Sequence, residues 1–135
     1  MKKHASAHLV IVRVSTIATL LALVLLFTLP RKLVHDMHDE LMPLAQEATE
    51  RILLDDRQGA ELAVRTLETR YTQTYLKRLL LFVDHEDADS LGSSIRQCIR
   101  FAQVQNDQMI SELEVIKNIL DFMRGIEVFK WYNLF

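Results

Sequence analysis

The sequence predicts an all-α protein: an N-terminal transmembrane helix followed by a small antiparallel four-helix bundle built from two helical hairpins. Three observations carry this. Val14 to Leu29 reads VSTIATLLALVLLFTL, an apolar run without a charge. Beyond Pro30, apolar residues recur at spacings of three and four, the period of an amphipathic helix. Only three Gly and two Pro punctuate 135 residues. No alternating β-branched run bounded by turn residues occurs, so strands have no support.

Residues 1–8 form a basic tip, and residues 9–30 form the anchor. From Leu9 to Leu29 there are 21 residues, about 31 Å as a helix against a hydrocarbon core of about 30 Å. The one charge inside that run is Arg13. It lies near an end, where a guanidinium can snorkel to the headgroups. Ten large apolar residues lie between Val14 and Leu29. Each favours insertion by about 0.3–0.6 kcal/mol, and an Arg costs about 3 kcal/mol at the centre and less near an end. The balance favours insertion. A cleaved secretory signal is the competing reading, since MKKHASAH resembles its basic start. Thr28-Leu29-Pro30-Arg31-Lys32 supplies no small-residue cleavage site, which favours an uncleaved anchor over a signal peptide or a buried soluble helix. Lys2, Lys3 and Arg13 precede the run. Arg31 and Lys32 follow it and are soon met by Asp36, Asp39 and Glu40. That asymmetry puts the N-terminus in the cytoplasm and the body outside.

Residues 31–135 form the helical body. Leu33, Met37, Leu41, Leu44, Ala48 and Ile52 make the first stripe. Pro43 interrupts it, allowing either a kink or a short helix ending near Leu41 with Pro43 opening the next. A connection is expected at Asp56 to Gly59. The second helix should run from about Ala60 to Val83 on Val64, Leu67, Tyr71, Tyr75, Leu79 and Phe82, its apolar end covered on more than one side. Asp84-His85-Glu86-Asp87-Ala88-Asp89 is the most acidic run in the chain. It suits the start of a third helix, where carboxylates complement the dipole and Asp84 or Asp87 can cap an N–H. Leu91, Ile95, Cys98 or Ile99, and Ala102 make that helix's stripe, with Gly92, Ser93 and Ser94 permitting close approach. Asn106-Asp107 reads as the next turn and cap. Met109, Leu113, Ile116, Leu120 and Met123 form the fourth seam, flanked by Ile110 and Ile119, with Gly125 near its end. The aromatic tail from Ile126 to Phe135 is expected to fold back over the bundle. Trp131 and Tyr132 would also suit a membrane interface.

Charge narrows the function. Residues 1–30 carry +3 and the remainder carries 13 Lys/Arg against 18 Asp/Glu, a net −5, which does not fit a nucleic-acid binder. A single cysteine, Cys98, excludes an intramolecular disulfide framework. No phosphate loop, nucleophile elbow or HExxH pair occurs, so no catalytic residue and no cofactor is expected. Two groups have donors suited to a cation: Asp84, His85 and Glu86 at the junction, and His35 with His38, which share a helix face beside Asp39. Against them, consecutive residues at a helix start point outward, no calcium-loop Gly is present, and no Glu-x-x-His pair occurs. Capping and a solvated face are the plainer roles. Tyr71 and Tyr75 are most simply core residues, and Cys98 a packed thiol.

An anchor, a helix pair, a Val83-Asp84-His85-Glu86 junction, a second pair and an Asn133-Leu134-Phe135 ending follow one another. This order resembles the bacterial family known as domain of unknown function 4363, best from about Tyr75 to Phe135. Members carry an aspartate-histidine-glutamate junction and an asparagine-isoleucine-phenylalanine end, where this chain has Leu134. The aromatic residue expected late in helix two is not clearly matched. The resemblance implies a small single-pass protein of the bacterial envelope and adds no activity. The expected function is a noncatalytic, membrane-anchored interaction module. Its partners would be the lipid bilayer and either an envelope protein or its own copy. A ligand- or metal-sensing bundle using Asp84, His85 and the His35/His38 face is the alternative.

Overall fold

A computed structural model describes the backbone from Lys2 to Tyr132 and the side chains from Val12 to Ile126. The Asn133-Leu134-Phe135 ending and the side chains of His4 and His8 lie outside the described residues. All described elements are helical: α1 (Lys2–Leu53), α2 (Arg57–Arg70), a π turn (Tyr71–Tyr75), α3 (Leu76–Phe82), α4 (His85–Gln103) and α5 (Gln108–Tyr132). Because α2, the π turn and α3 follow without a break, there are four long helical rods.

Helix α1 departs from the sequence expectation. The anchor and the first body helix are one helix of 52 residues, with Pro30 and Pro43 inside it. Neither proline ends it, so the division near Leu41 is corrected. Each proline removes one N–H, and the carbonyls of Leu26 and Asp39 lose their usual partner. Apolar packing of the flanking turns outweighs the loss at Pro43: Met37, Leu41, Ala45 and Ala48 are all fully buried.

The body helices share one core. On α1 the buried face is Val34, Met37, Leu41, Ala45, Ala48 and Ile52, while Leu33 and Leu44 sit half-buried at its margin. Helix α2 and its continuation bury Ala60, Ala63, Val64, Leu67, Tyr71, Tyr75 and Leu79. From Val64 to Leu79 the spacing averages more than 3.6 residues per turn, so a straight α-helix would rotate the stripe away from the core. The wider π turn at Tyr71–Tyr75 absorbs that phase slip and keeps both tyrosines inward. Helix α4 buries Ala88, Leu91, Ile95, Cys98, Ile99 and Ala102, and α5 buries Met109, Leu113, Ile116, Leu120 and Met123. Helix α1 packs against α2 and α5, and α4 also packs against both of these.

Contacts between the first two rods run in reverse order along them. Asp56 meets Arg51, Arg70 meets Glu40, and Tyr75 donates to the Asp36 carbonyl. Likewise Arg57 clasps the α4–α5 connection, donating to the Gln105 carbonyl at 3.0 Å and to Asp107 at 2.8 Å, whereas Arg124 near the other end of α5 reaches His38.

The connections are short and capped. Asp56 accepts from the Gly59 N–H and Asp84 from the Glu86 N–H. Asn106 accepts from the Gln108 N–H. Two helix ends close on left-handed residues that are not glycine, Asp55 (φ 59°) and Gln105 (φ 52°). In each, the next N–H bonds five residues back, Asp56 to Arg51 and Asn106 to Phe101, the Schellman pattern.

Two further expectations are corrected. The end of the second rod is covered only in part: Leu79 is fully buried and Leu80 and Val83 pack against the core, but Leu81 is 75% and Phe82 39% exposed. The chain does not turn back after Gly125, because α5 continues as helix to Tyr132.

Candidate functional site

The largest exposed apolar feature is the first part of α1. Between Val12 and Leu29, eleven large apolar side chains are exposed. Among the described residues this is the one stretch long and apolar enough to cross a membrane, and none of it is buried. Its threonine hydroxyls are satisfied inside the helix: Thr16, Thr19 and Thr28 each donate to the carbonyl four residues back, at 2.8–2.9 Å. Pairing polar groups inside the helix in this way is what hydrocarbon favours.

Where α1 enters the core, a polar cluster replaces part of its apolar face. His38 is buried, and its Nε2–H faces Asp121 Oδ1 at 2.9 Å. Its Nδ1 lies 3.0 Å from Arg124 Nη1 and 3.3 Å from Asp39 Oδ1. With the ring proton on Nε2, assigned from the carboxylate it faces, Nδ1 is an acceptor for Arg124. Arg124 also stands 3.5 Å from Asp39. The cluster joins α1 to α5 and leaves no buried side-chain polar atom unpaired.

One turn further, Tyr75 donates to Glu40 Oε2 at 2.5 Å and to the Asp36 carbonyl at 3.2 Å, while Arg70 reaches Glu40 at 3.3 Å. Burial and the Glu40 hydrogen bond push the Tyr75 hydroxyl well above its ordinary range. Tyr71 donates to the Ala88 carbonyl at 2.6 Å. Burial, reinforced by Asp89, pushes its hydroxyl up to about 12. Helix α4 approaches this ring at Gly92, where a Cβ would lie 3.3 Å from Tyr71 Cε1. Neutral hydroxyls held this way tie helices together and are poor bases.

The candidate cation donors separate. Asp84 is occupied as the cap of α4, and His85 and Glu86 are exposed beside it. His38 turns into the α1–α5 interface, while His35 is half-buried three residues earlier. Among the described residues, no three His, Cys, Asp or Glu side chains are grouped to hold a metal ion. Cys98 is buried, with its thiol 3.9 Å from the Met109 carbonyl. Burial first, then Glu112, push it up to about 12, so it is not poised as a thiolate.

Sequence reasoning missed the Asp121 and Arg124 contribution to the His38 cluster. The donor and acceptor nitrogens of an imidazole on an otherwise apolar stripe were the available signal, but their partners lie more than 80 positions away. No protein-family model, no curated protein and no solved structure matches this chain.

Proposed function

We propose that the chain is a membrane-tethered, noncatalytic interaction module of the bacterial cell envelope. Residues 9–30 cross the bilayer once, with the N-terminus in the cytoplasm. Residues 31–135 stand outside as an antiparallel four-helix bundle of two hairpins, and present a face to an envelope protein or to a second copy. Kinship with the domain of unknown function 4363 family belongs to the same proposal and assigns no reaction.

The observation that carries the tether is the apolar length of α1 between Val12 and Leu29, none of it buried. Exposed apolar surface on that scale needs a solvent other than water. The reversed order of contacts between rods supports the hairpin arrangement. The test is a pair of topology reporters, one at each terminus, with crosslinking in intact cells. An N-terminal reporter active only in the cytoplasm and a C-terminal one active only outside are expected, together with a crosslinked adduct. The opposite reporter pattern overturns the orientation. Crosslinking that returns the monomer alone overturns the interaction role.

A further inference from the structure

We propose that the bundle does not hang free below its anchor but is seated on the bilayer, with Leu81 and Phe82 immersed at the boundary between headgroups and acyl chains. This rests on the tether proposed above and adds a second, independent membrane contact.

The register places these residues. Tyr75 donates to Asp36 and Glu40 of α1, and α3 then runs toward the N-terminal end of α1. Leu81 and Phe82 lie six and seven residues further, about 9–10 Å along the axis. The same distance back from Asp36 on α1 reaches Leu29 and Pro30, where the exposed apolar run stops. Leu81 and Phe82 are exposed at that level while Leu79 of the same helix is fully buried. The bundle leaves most of Leu81 and part of Phe82 uncovered, and continuity with the anchor supplies a cover.

The charges fit the same plane. Arg31, Lys32, Lys77 and Arg78 are all exposed around this level. None forms an ion pair within the described residues, whereas Arg51, Arg57, Arg65, Arg70, Lys117 and Arg124 all do. Among the described residues, Arg96 and Arg100, both exposed on α4, are the other body cations without an ion pair. Lys77 and Arg78 sit four residues before Leu81 and Phe82, so cation and apolar side chain stack on one face, the order that lets cations reach phosphates while apolar tips sink below them. The acids Asp84, Glu86, Asp87 and Asp89 open α4 at the same end. They offset the four cations, so seating follows from apolar insertion and phosphate contact and needs no anionic lipid. The backbone of α5 runs eight residues past Arg124, about 12 Å, and brings Trp131 and Tyr132 toward this level, residue types that favour the interface.

The experiment uses the full chain, with Cys98→Ala, reconstituted in phosphatidylcholine vesicles. A nitroxide is attached in turn at Leu21→Cys in the anchor, Leu81→Cys in the seat and Leu62→Cys on α2. Accessibility to oxygen and to a water-soluble nickel chelate is then compared. The expected oxygen-to-nickel ratio is highest at 21, several-fold above the Leu62 value at 81, and lowest at 62. A ratio at 81 equal to that at 62, with 21 still in lipid, overturns the seat and leaves the tether standing. A water-exposed label at 21 overturns both.

Discussion

Replacing Leu23 with Arg tests the tether through a quantity the structure supplies. Eleven large apolar side chains between Val12 and Leu29 face outward, and together they favour insertion by about 3–7 kcal/mol. Arg13 and the hydroxyl residues draw against that sum. Leu23 lies near the middle of the run, where exchanging a leucine for an arginine changes the balance by about 3–4 kcal/mol. That is a loss of two to three orders of magnitude in the ratio of inserted to uninserted chain, at about 1.4 kcal/mol per tenfold. The span then sits near balance. The assay is the fraction of protein retained in the membrane pellet after alkaline extraction, with flotation as a second measure. The wild type should stay in the pellet, Leu23→Arg should move largely to the supernatant, and Arg13→Leu should be retained at least as firmly as wild type. No bundle residue packs on position 23, so the substitution leaves the body's fold alone. Full retention of Leu23→Arg, or release of the wild type, would refute the reasoning.

Three other perturbations address the bundle. Gly92→Val should destabilise it by about 1–3 kcal/mol in urea unfolding, because a Cβ there would lie 3.3 Å from Tyr71 Cε1 and that ring is pinned by its bond to Ala88. Gln105→Gly should stabilise by about 0.5–1 kcal/mol, since it relieves a left-handed backbone at some cost in unfolded-state entropy. Its carbonyl bond to Arg57 is kept. Stability should also fall at high pH. Folding raises the Tyr71 hydroxyl from 10.0 and the Cys98 thiol from 9.0, each to about 12 and each mainly by burial. Both groups are protonated in the fold, so their contribution is complete below about pH 9 and disappears as pH climbs toward 12. Denaturation midpoints measured across that window should decline, and less steeply in Tyr71→Phe.

The stripes of the body were legible because a buried helix face repeats itself locally. Met109, Leu113, Ile116, Leu120 and Met123 are all buried as their spacing implies, and Asp84 and Asn106 cap the helices they precede. What escaped depends on distant partners or on energies of similar size. A proline forfeits one hydrogen bond and meets a clash, and whether the helix bends, ends or continues is decided by packing on either side, as at Pro43. The π turn is a correction to accumulated phase and leaves no composition signal of its own. Asp55 and Gln105 occupy positions where glycine is the usual marker, so the helix ends they form had to be placed from other cues. His38 turned inward because Asp121 and Arg124 are there to receive it, and no local pattern reveals that.

The single helix α1 has a mechanical consequence. Its last residue, Leu53, lies 24 residues beyond Leu29, about 36 Å along the axis. No loop intervenes to decouple the two parts, and Pro30 is the one soft joint at the membrane surface. In the tethered arrangement, a tilt of the span by about 10° would carry the far tip of the bundle sideways by about 6 Å, the width of a helical turn. The arm converts small changes in how the span lies in the bilayer into displacements large enough to make or break a contact at its end.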